Sequence, residues 1–109
     1  MDAVKQKRAV FMMYECARVG LHIPVDIADP VWDECVGDNH KPMGNEEMSR
    51  LRNLLWEIKK ACNDAPAGQE VFFFKCRSRR TDGEGQSPFI MLGIVRGSDR
   101  MLKILKADR

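Results

Sequence analysis

Residues 17–36 read ARVGLHIPVDIADPVWDECV, and they contain the most specific pattern in this chain. Gly20 predicts the end of a preceding helix, because glycine readily adopts the left-handed conformation that terminates helices. Apolar and polar residues then alternate over residues 21–27, which is typical of a strand. Pro24 has no N–H to donate, so we expect this piece to be an edge strand or an extended arm.

A short helix is predicted directly after this strand, over about residues 30–36. Asp29 followed by Pro30 fits an N-cap and a proline in the first helical turn. Val31, Trp32 and Cys35 then fall near one face of the helix. Their spacing predicts that this face packs against the core.

The residues before Gly20 predict a helix over residues 2–19, with Asp2 as a plausible N-cap. Within it, the apolar run Val10–Tyr14 is also compatible with a short strand before a shorter helix. Hydrophobic periodicity alone does not separate these two interpretations.

The clearest helix follows a predicted loop over residues 37–45, with Asn45 as its cap and an end near Asp64. Acidic residues occupy its first turn and lysines its last, as the helix dipole favours. Its apolar stripe comprises Met48, Leu51, Leu54, Leu55, Ile58 and Cys62.

The last third of the chain predicts three strands, Glu70–Ser78, Pro88–Arg96 and Arg100–Lys106. Turn residues separate them, Thr81–Gly85 in the first connection and Gly97–Asp99 in the second, which suits a hairpin. We therefore predict a single α+β domain over residues 1–109, with N-terminal helices packed on a C-terminal three-stranded antiparallel sheet.

Composition excludes several classes of protein. A chain of 109 residues is long enough for one core, and no apolar run reaches 18 residues, so we expect no membrane span and a cytoplasmic protein. The net charge of +2 is unevenly distributed, with −3 over residues 1–40 and +4 over residues 70–109. Such a division of charge favours a charged partner.

The four cysteines, Cys16, Cys35, Cys62 and Cys76, are widely separated in the sequence. A zinc site would need close pairs of ligands. We therefore predict buried, reduced thiols, and neither a metal nor a cofactor.

Two blocks resemble a family of small, uncharacterised proteins carried by bacterial plasmids and phages. The first block is Ala17-Arg18, Gly20, Pro24-Val25, Val31-Trp32 and Cys35-Val36, and the second is Arg50-Leu51 with Leu55-Trp56. The family's β-rich end is similar to Val71–Lys106, with a charged, glycine-containing loop at Arg77–Gly85. The chain departs from the family at Met1–Ala9, which is charged and helix-like. The resemblance implies a mobile-element setting and no known active site, so it assigns no catalytic residue.

The strongest candidate binding site is basic, comprising Lys75, Arg77, Arg79 and Arg80, with Arg96 and Arg100 across the sheet. Strand alternation places Lys75, Arg77 and Arg79 on one face. With Phe72 or Phe74 nearby, they could follow a nucleic-acid backbone. They could equally bind an acidic protein surface, or simply protect an edge strand from aggregation.

A second candidate is acidic and comprises Asp26, Asp29, Asp33, Glu34 and Asp38. It lacks the calcium-loop pattern. It is interpreted either as a solvated face or as a docking patch for a basic partner.

Aromatic and nucleophilic residues have competing interpretations. Trp32 and Trp56 could be partner hot spots, but core anchoring is the simpler interpretation for both. His22 with Cys16 or Cys35 could form a nucleophilic pair, but no orienting residue or oxyanion loop is visible.

These observations predict a non-enzymatic accessory protein of a phage or mobile element, acting in the cytoplasm of a bacterial host. Its expected partner is a host protein or ribonucleoprotein of a defence complex, which it would inhibit in the manner of an anti-CRISPR protein. The alternative is a small nucleic-acid-binding protein that uses the basic C-terminal sheet.

Overall fold

The structure, a computed structural model, describes residues 12–38, 44–65, 68–78, 89–97 and 101–107. Its helices are residues 12–19 (α1), Asp29–Cys35 (α2) and Asn45–Asp64 (α3). Its strands are Val25–Ile27 (β1), Val71–Arg77 (β2), Phe89–Arg96 (β3) and Leu102–Lys106 (β4). The predicted α+β class is confirmed. Within the described residues, no helix is long and apolar enough to cross a membrane.

Among the described residues, the sheet has four strands in the order β1-β4-β3-β2. Strands β2, β3 and β4 form the predicted antiparallel meander. The prediction of a three-stranded antiparallel sheet is wrong, because β1 joins the edge in parallel to β4, with Val25 opposite Leu102 and Ile27 opposite Ile104. Pro24 directly precedes this short edge strand, and its carbonyl accepts the Leu102 N–H at 2.9 Å.

The first helix, α1, ends at the glycine that the sequence predicted. Gly20 ends α1 with φ +86°, and the Leu21 N–H donates to the Cys16 carbonyl at 2.8 Å. Residues 12–14 are helical, so the strand alternative is wrong for them. Residues 1–11 lie outside the described residues.

The predicted caps of α2 and α3 are each one residue too late. Ala28, in extended conformation, precedes the first turn of α2 in place of Asp29. Gly44 precedes α3 in place of Asn45, and its N–H donates to Glu47 Oε1 at 2.8 Å. Glu47 thus satisfies one of the donors that a helix start leaves unpaired.

All three helices contribute side chains to a core on one face of the sheet, the inner face. Trp32 is 1% exposed, and the α3 stripe is buried at Leu51, Leu54, Leu55 and Ile58, as predicted. The sheet contributes mainly Phe72, Cys76, Leu92, Ile94, Leu102 and Ile104. In the described part of the chain, the helices therefore cover only one side of the sheet.

Candidate binding surface

The sheet face that points away from the helices is the candidate functional surface, called here the outer face. Alternation along the strands and the register between them assign its members. They are Val71, Phe73, Lys75 and Arg77 on β2, Phe89, Met91, Gly93 and Val95 on β3, Lys103 and Leu105 on β4, and Asp26 on β1.

The centre of the outer face is apolar and exposed. Five of its large side chains, Val71, Phe73, Phe89, Met91 and Leu105, are between 42% and 61% exposed. They are contiguous, because Phe73 and Leu105 flank Gly93 across the sheet and Met91 is two positions from Gly93 on β3. Single exposed apolar residues are ordinary on a protein surface, but a contiguous apolar patch marks an interaction surface.

Phe73 is held in place by the glycine opposite it. A Cβ atom added at Gly93 would lie 3.3 Å from Phe73 Cε1, so the ring lies directly over the Gly93 backbone. Gly93 is buried beneath the ring, whereas Phe73 itself is 61% exposed. The missing side chain at Gly93 thus creates a fixed aromatic platform with one side open.

Cations flank this apolar centre. Lys75 lies opposite Met91 and Arg77 opposite Phe89 on the β2 edge. On β4, Lys103 lies between Val95 and the acidic Asp26, so the positive charge is concentrated at the β2 edge. Lys75 and Arg77 share the exposed face of β2, as strand alternation predicts. Arg79 and Arg80 lie outside the described residues, so their part of the predicted cluster stays a prediction.

A pocket beside the edge strand β2 continues this basic region. Its volume is about 520 Å³, and its walls include Arg50, Trp56, Lys75, Arg77 and Phe89. Trp56 is 48% exposed, with Lys59 Nζ 5.4 Å from its ring centroid. The interpretation of Trp56 as a core anchor is therefore wrong.

The helical position of Trp56 explains that error. It directly follows Leu55 on α3, and one residue is enough to rotate a side chain about 100° away from the buried stripe. Trp32, by contrast, is buried as predicted.

The predicted acidic residues lie on different elements and differ in exposure. Asp26 lies on β1 and Asp29 begins α2, whereas Glu34 is half-buried and bonded within the fold. Glu34 Oε2 accepts the Ser78 hydroxyl at 2.7 Å, and Glu34 Oε1 lies 3.4 Å from Lys106 Nζ. Asp33 is half-buried on α2 and Asp38 is exposed after it.

In the described residues, no group of three or more His, Cys, Asp or Glu side chains is placed to hold a metal ion. The acidic docking patch remains a prediction.

The nucleophile candidates are divided between two sites. Cys16 and His22 line an apolar groove of about 630 Å³ between α1 and β1, whereas Cys35 lines the pocket beside β2. Burial, with the neighbouring Glu15 carboxylate, raises the pKa of the Cys16 thiol. A raised pKa favours the unreactive thiol, which is the opposite of what a nucleophile needs.

The fold brings Cys35 and Cys76 together in a way that the sequence did not reveal. They lie on different elements, α2 and β2, but both are buried and line the pocket beside β2. Widely spaced cysteines carry no local signal of such a pair, which only the packing of α2 on the sheet creates.

No family model, curated protein or solved structure matches this chain.

Proposed function

We propose that this protein is a non-catalytic accessory protein of a mobile genetic element that blocks a bacterial defence complex by docking its outer face on it. One observation carries the proposal, the exposed apolar centre of the outer face with cations beside it. The mobile-element setting rests on the resemblance of residues 17–36 and of the Arg50–Trp56 helix. The class of target is inferred from that setting together with the small size and the divided charge of the chain.

The composition of the outer face suits a protein partner. Interface cores are enriched in aromatic residues, methionine and arginine, and depleted in acidic residues. Phe73, Phe89, Met91 and Arg77 fit that profile, and Phe73 over Gly93 is a pre-organised anchor. An anchor that is already ordered loses little conformational entropy on binding.

Charge indicates the kind of partner surface. Lys75, Arg77 and Lys103 lie around the apolar centre, so a complementary partner presents acidic groups around an apolar depression.

Co-expression with a CRISPR effector complex in bacteria tests the proposal. We expect the affinity-tagged protein to co-purify with an effector component and phage plating to rise on cells with active immunity. Recovery of no defence component, together with unchanged immunity, would contradict it.

Paired charge variants make this test specific. The first is a double variant, Lys75→Glu with Arg77→Glu, which reverses two charges on the outer face. The second, Lys60→Glu, reverses one charge on the exposed side of α3. We expect the first variant to lose co-purification and the second to retain it. Equal retention by both would exclude the basic part of the outer face as the contact.

The exposed ring of Phe73 favours a second candidate function, single-stranded nucleic-acid binding. Bases stack on exposed aromatic rings while neighbouring cations contact phosphates, and Phe73 and Phe89 with Lys75 and Arg77 supply both groups. This function would use the same surface without a protein partner.

Salt titration separates the two candidates. Binding of a labelled single-stranded oligonucleotide should weaken with salt by a logarithmic slope of about 0.7 per phosphate contacted, and the Lys75→Glu, Arg77→Glu variant should flatten that slope. Absent binding, or binding that salt does not change, would exclude the nucleic-acid function.

A further inference from the structure

A buried pair of thiols lies apart from the outer face and has no part in the proposed function. Cys35, the last residue of α2, and Cys76, on β2, are 3% and 7% exposed. Both belong to the buried core and line one pocket, and the adjacent residues hold the end of α2 against the end of β2, with Ser78 Oγ donating to Glu34 Oε2 at 2.7 Å. The other two cysteines lie elsewhere, Cys16 in the groove beside α1 and Cys62 on α3 near Arg96.

Both sulfur-bearing side chains line the pocket of about 520 Å³ beside β2. A small oxidant that enters the pocket therefore meets both thiols.

We propose that Cys35 and Cys76 are a redox-active pair, which a hydroperoxide converts into a reversible disulfide between α2 and β2. The inference does not rest on the proposed function, because the two thiols lie on the inner side of the sheet and their oxidation needs no protein partner, although Lys75, Arg77 and Phe89 of the outer face also line the pocket.

The surroundings of the two thiols differ. Cys76 is the more exposed of the two, 7% against 3% for Cys35. A hydrogen bond with Cys35 lowers the pKa of Cys76, although burial and the Glu57 carboxylate oppose that lowering, whereas the pKa of Cys35 is raised. We therefore assign Cys76 as the attacking sulfur and Cys35 as the resolving one.

The reaction balances in two steps. The Cys76 thiolate attacks one oxygen of hydrogen peroxide, the O–O bond breaks, and protonation of the leaving oxygen gives water and a sulfenic acid. The Cys35 sulfur then attacks the Cys76 sulfur, the S–S bond forms, and the S–O bond breaks. The leaving hydroxide takes the Cys35 proton, so two thiols and one peroxide yield one disulfide and two waters.

Peptide mapping of the full-length, folded protein after a small excess of hydrogen peroxide tests the proposal without any substitution. Trypsin cleaves after Arg50, so Cys35 and Cys76 reach the spectrometer on one species only if a disulfide joins them. We expect one disulfide, Cys35–Cys76, formed with the loss of two hydrogens and reversed by dithiothreitol. Oxidation confined to Cys62, a different disulfide, or unlinked sulfonic acid at Cys76 would overturn the proposal.

Two variants separate the assigned roles. Cys35→Ser removes the resolving sulfur, so the sulfenic acid at Cys76 should persist and be trapped by dimedone. Cys62→Ser should form the Cys35–Cys76 disulfide as fast as the unaltered protein. Dimedone trapping at Cys62 but not at Cys76 in Cys35→Ser protein with an unchanged circular dichroism spectrum would show that Cys76 is not the attacking thiol.

Discussion

Trp32 and Trp56 both lie on helices, but their surroundings differ completely. Trp32 is 1% exposed between α2 and the sheet, whereas Trp56 is 48% exposed beside the pocket at β2. The sequence predicted the position of Trp32, because Val31 and Cys35 define the same buried face. The sequence did not predict the exposed position of Trp56. Leu55 and Ile58 lie on the buried stripe of α3, and Trp56 lies just outside that stripe.

Truncating the two tryptophans should therefore have very different costs. We expect Trp32→Ala to reduce the free energy of unfolding by about 3–5 kcal/mol, because it leaves a large cavity. Trp56→Ala should reduce it by less than about 1 kcal/mol, because water already contacts much of that side chain. Urea denaturation of both variants checks this, and equal losses would refute the assigned environments.

The buried carboxylate of Glu15 leads to a second prediction about single residues. Glu15 on α1 is 2% exposed, and its Oε1 accepts the Arg52 Nε–H at 2.7 Å, while Arg18 Nη1 lies 3.7 Å from Oε2. Arg52→Ala removes the closer donor and leaves a buried charge, whereas Glu15→Gln removes the charge itself. We expect Arg52→Ala to lower the urea midpoint more than Glu15→Gln does. The opposite order would contradict the burial of this carboxylate.

The positions of three strands could be predicted from the sequence, but the pairing of the fourth could not. Alternation and turn residues located β2, β3 and β4 to within a residue or two, because hairpin neighbours are close in sequence. The pairing of β1 with β4 was invisible, because nothing in Val25–Ile27 records a parallel partner far along the chain. Pro24 did indicate an edge position, which is where β1 lies.

Hydrogen exchange should show this difference between strands. In the part of the chain that the structure describes, β1 pairs on one side and through three residues, whereas β3 pairs along both sides. Local opening of β1 needs few broken bonds, so its amides should exchange faster than those of β3 in the native protein. Mass spectrometry of deuterated peptides measures both, and equal protection would contradict the edge assignment.

For the molecule as a whole, the sequence predicted the class of fold but not its surfaces. The α+β class followed from the order of patterns, helices first and strands afterwards. The outer face did not, because the nearly continuous apolar runs in β2 and β3 do not show which of their residues point away from the helices. The platform of Phe73 over Gly93 depends on cross-strand register, which single-strand patterns do not contain.

Buried thiols predict how stability of the whole molecule changes with pH. Burial raises the pKa of Cys16 and Cys62 above the usual thiol value of 9.0. Below pH 9.0, both thiols are protonated in the folded and in the unfolded protein, so the free energy of unfolding does not depend on them. Above that pH the unfolded chain loses these protons first, so the free energy of unfolding should fall by up to about 1.4 kcal/mol per pH unit for each thiol.

Urea denaturation from pH 8 to about pH 10.5, in a phosphine reductant, checks this sign. A variant with Cys16→Ser and Cys62→Ser should show a flatter decline than the parent protein. Parallel pH profiles would contradict the assignment to these thiols.

The central claim is that the outer face, and not another exposed apolar site, contacts the target. Phe73 lies on the outer face and is 61% exposed, and Met13 lies on α1 and is 74% exposed. Replacing each of them with glutamate compares the two sites. The measurement is the efficiency of phage plating on cells with active CRISPR immunity that express each protein. We predict that Phe73→Glu restores immunity while Met13→Glu suppresses it as the parent protein does. Suppression by both variants would contradict the account.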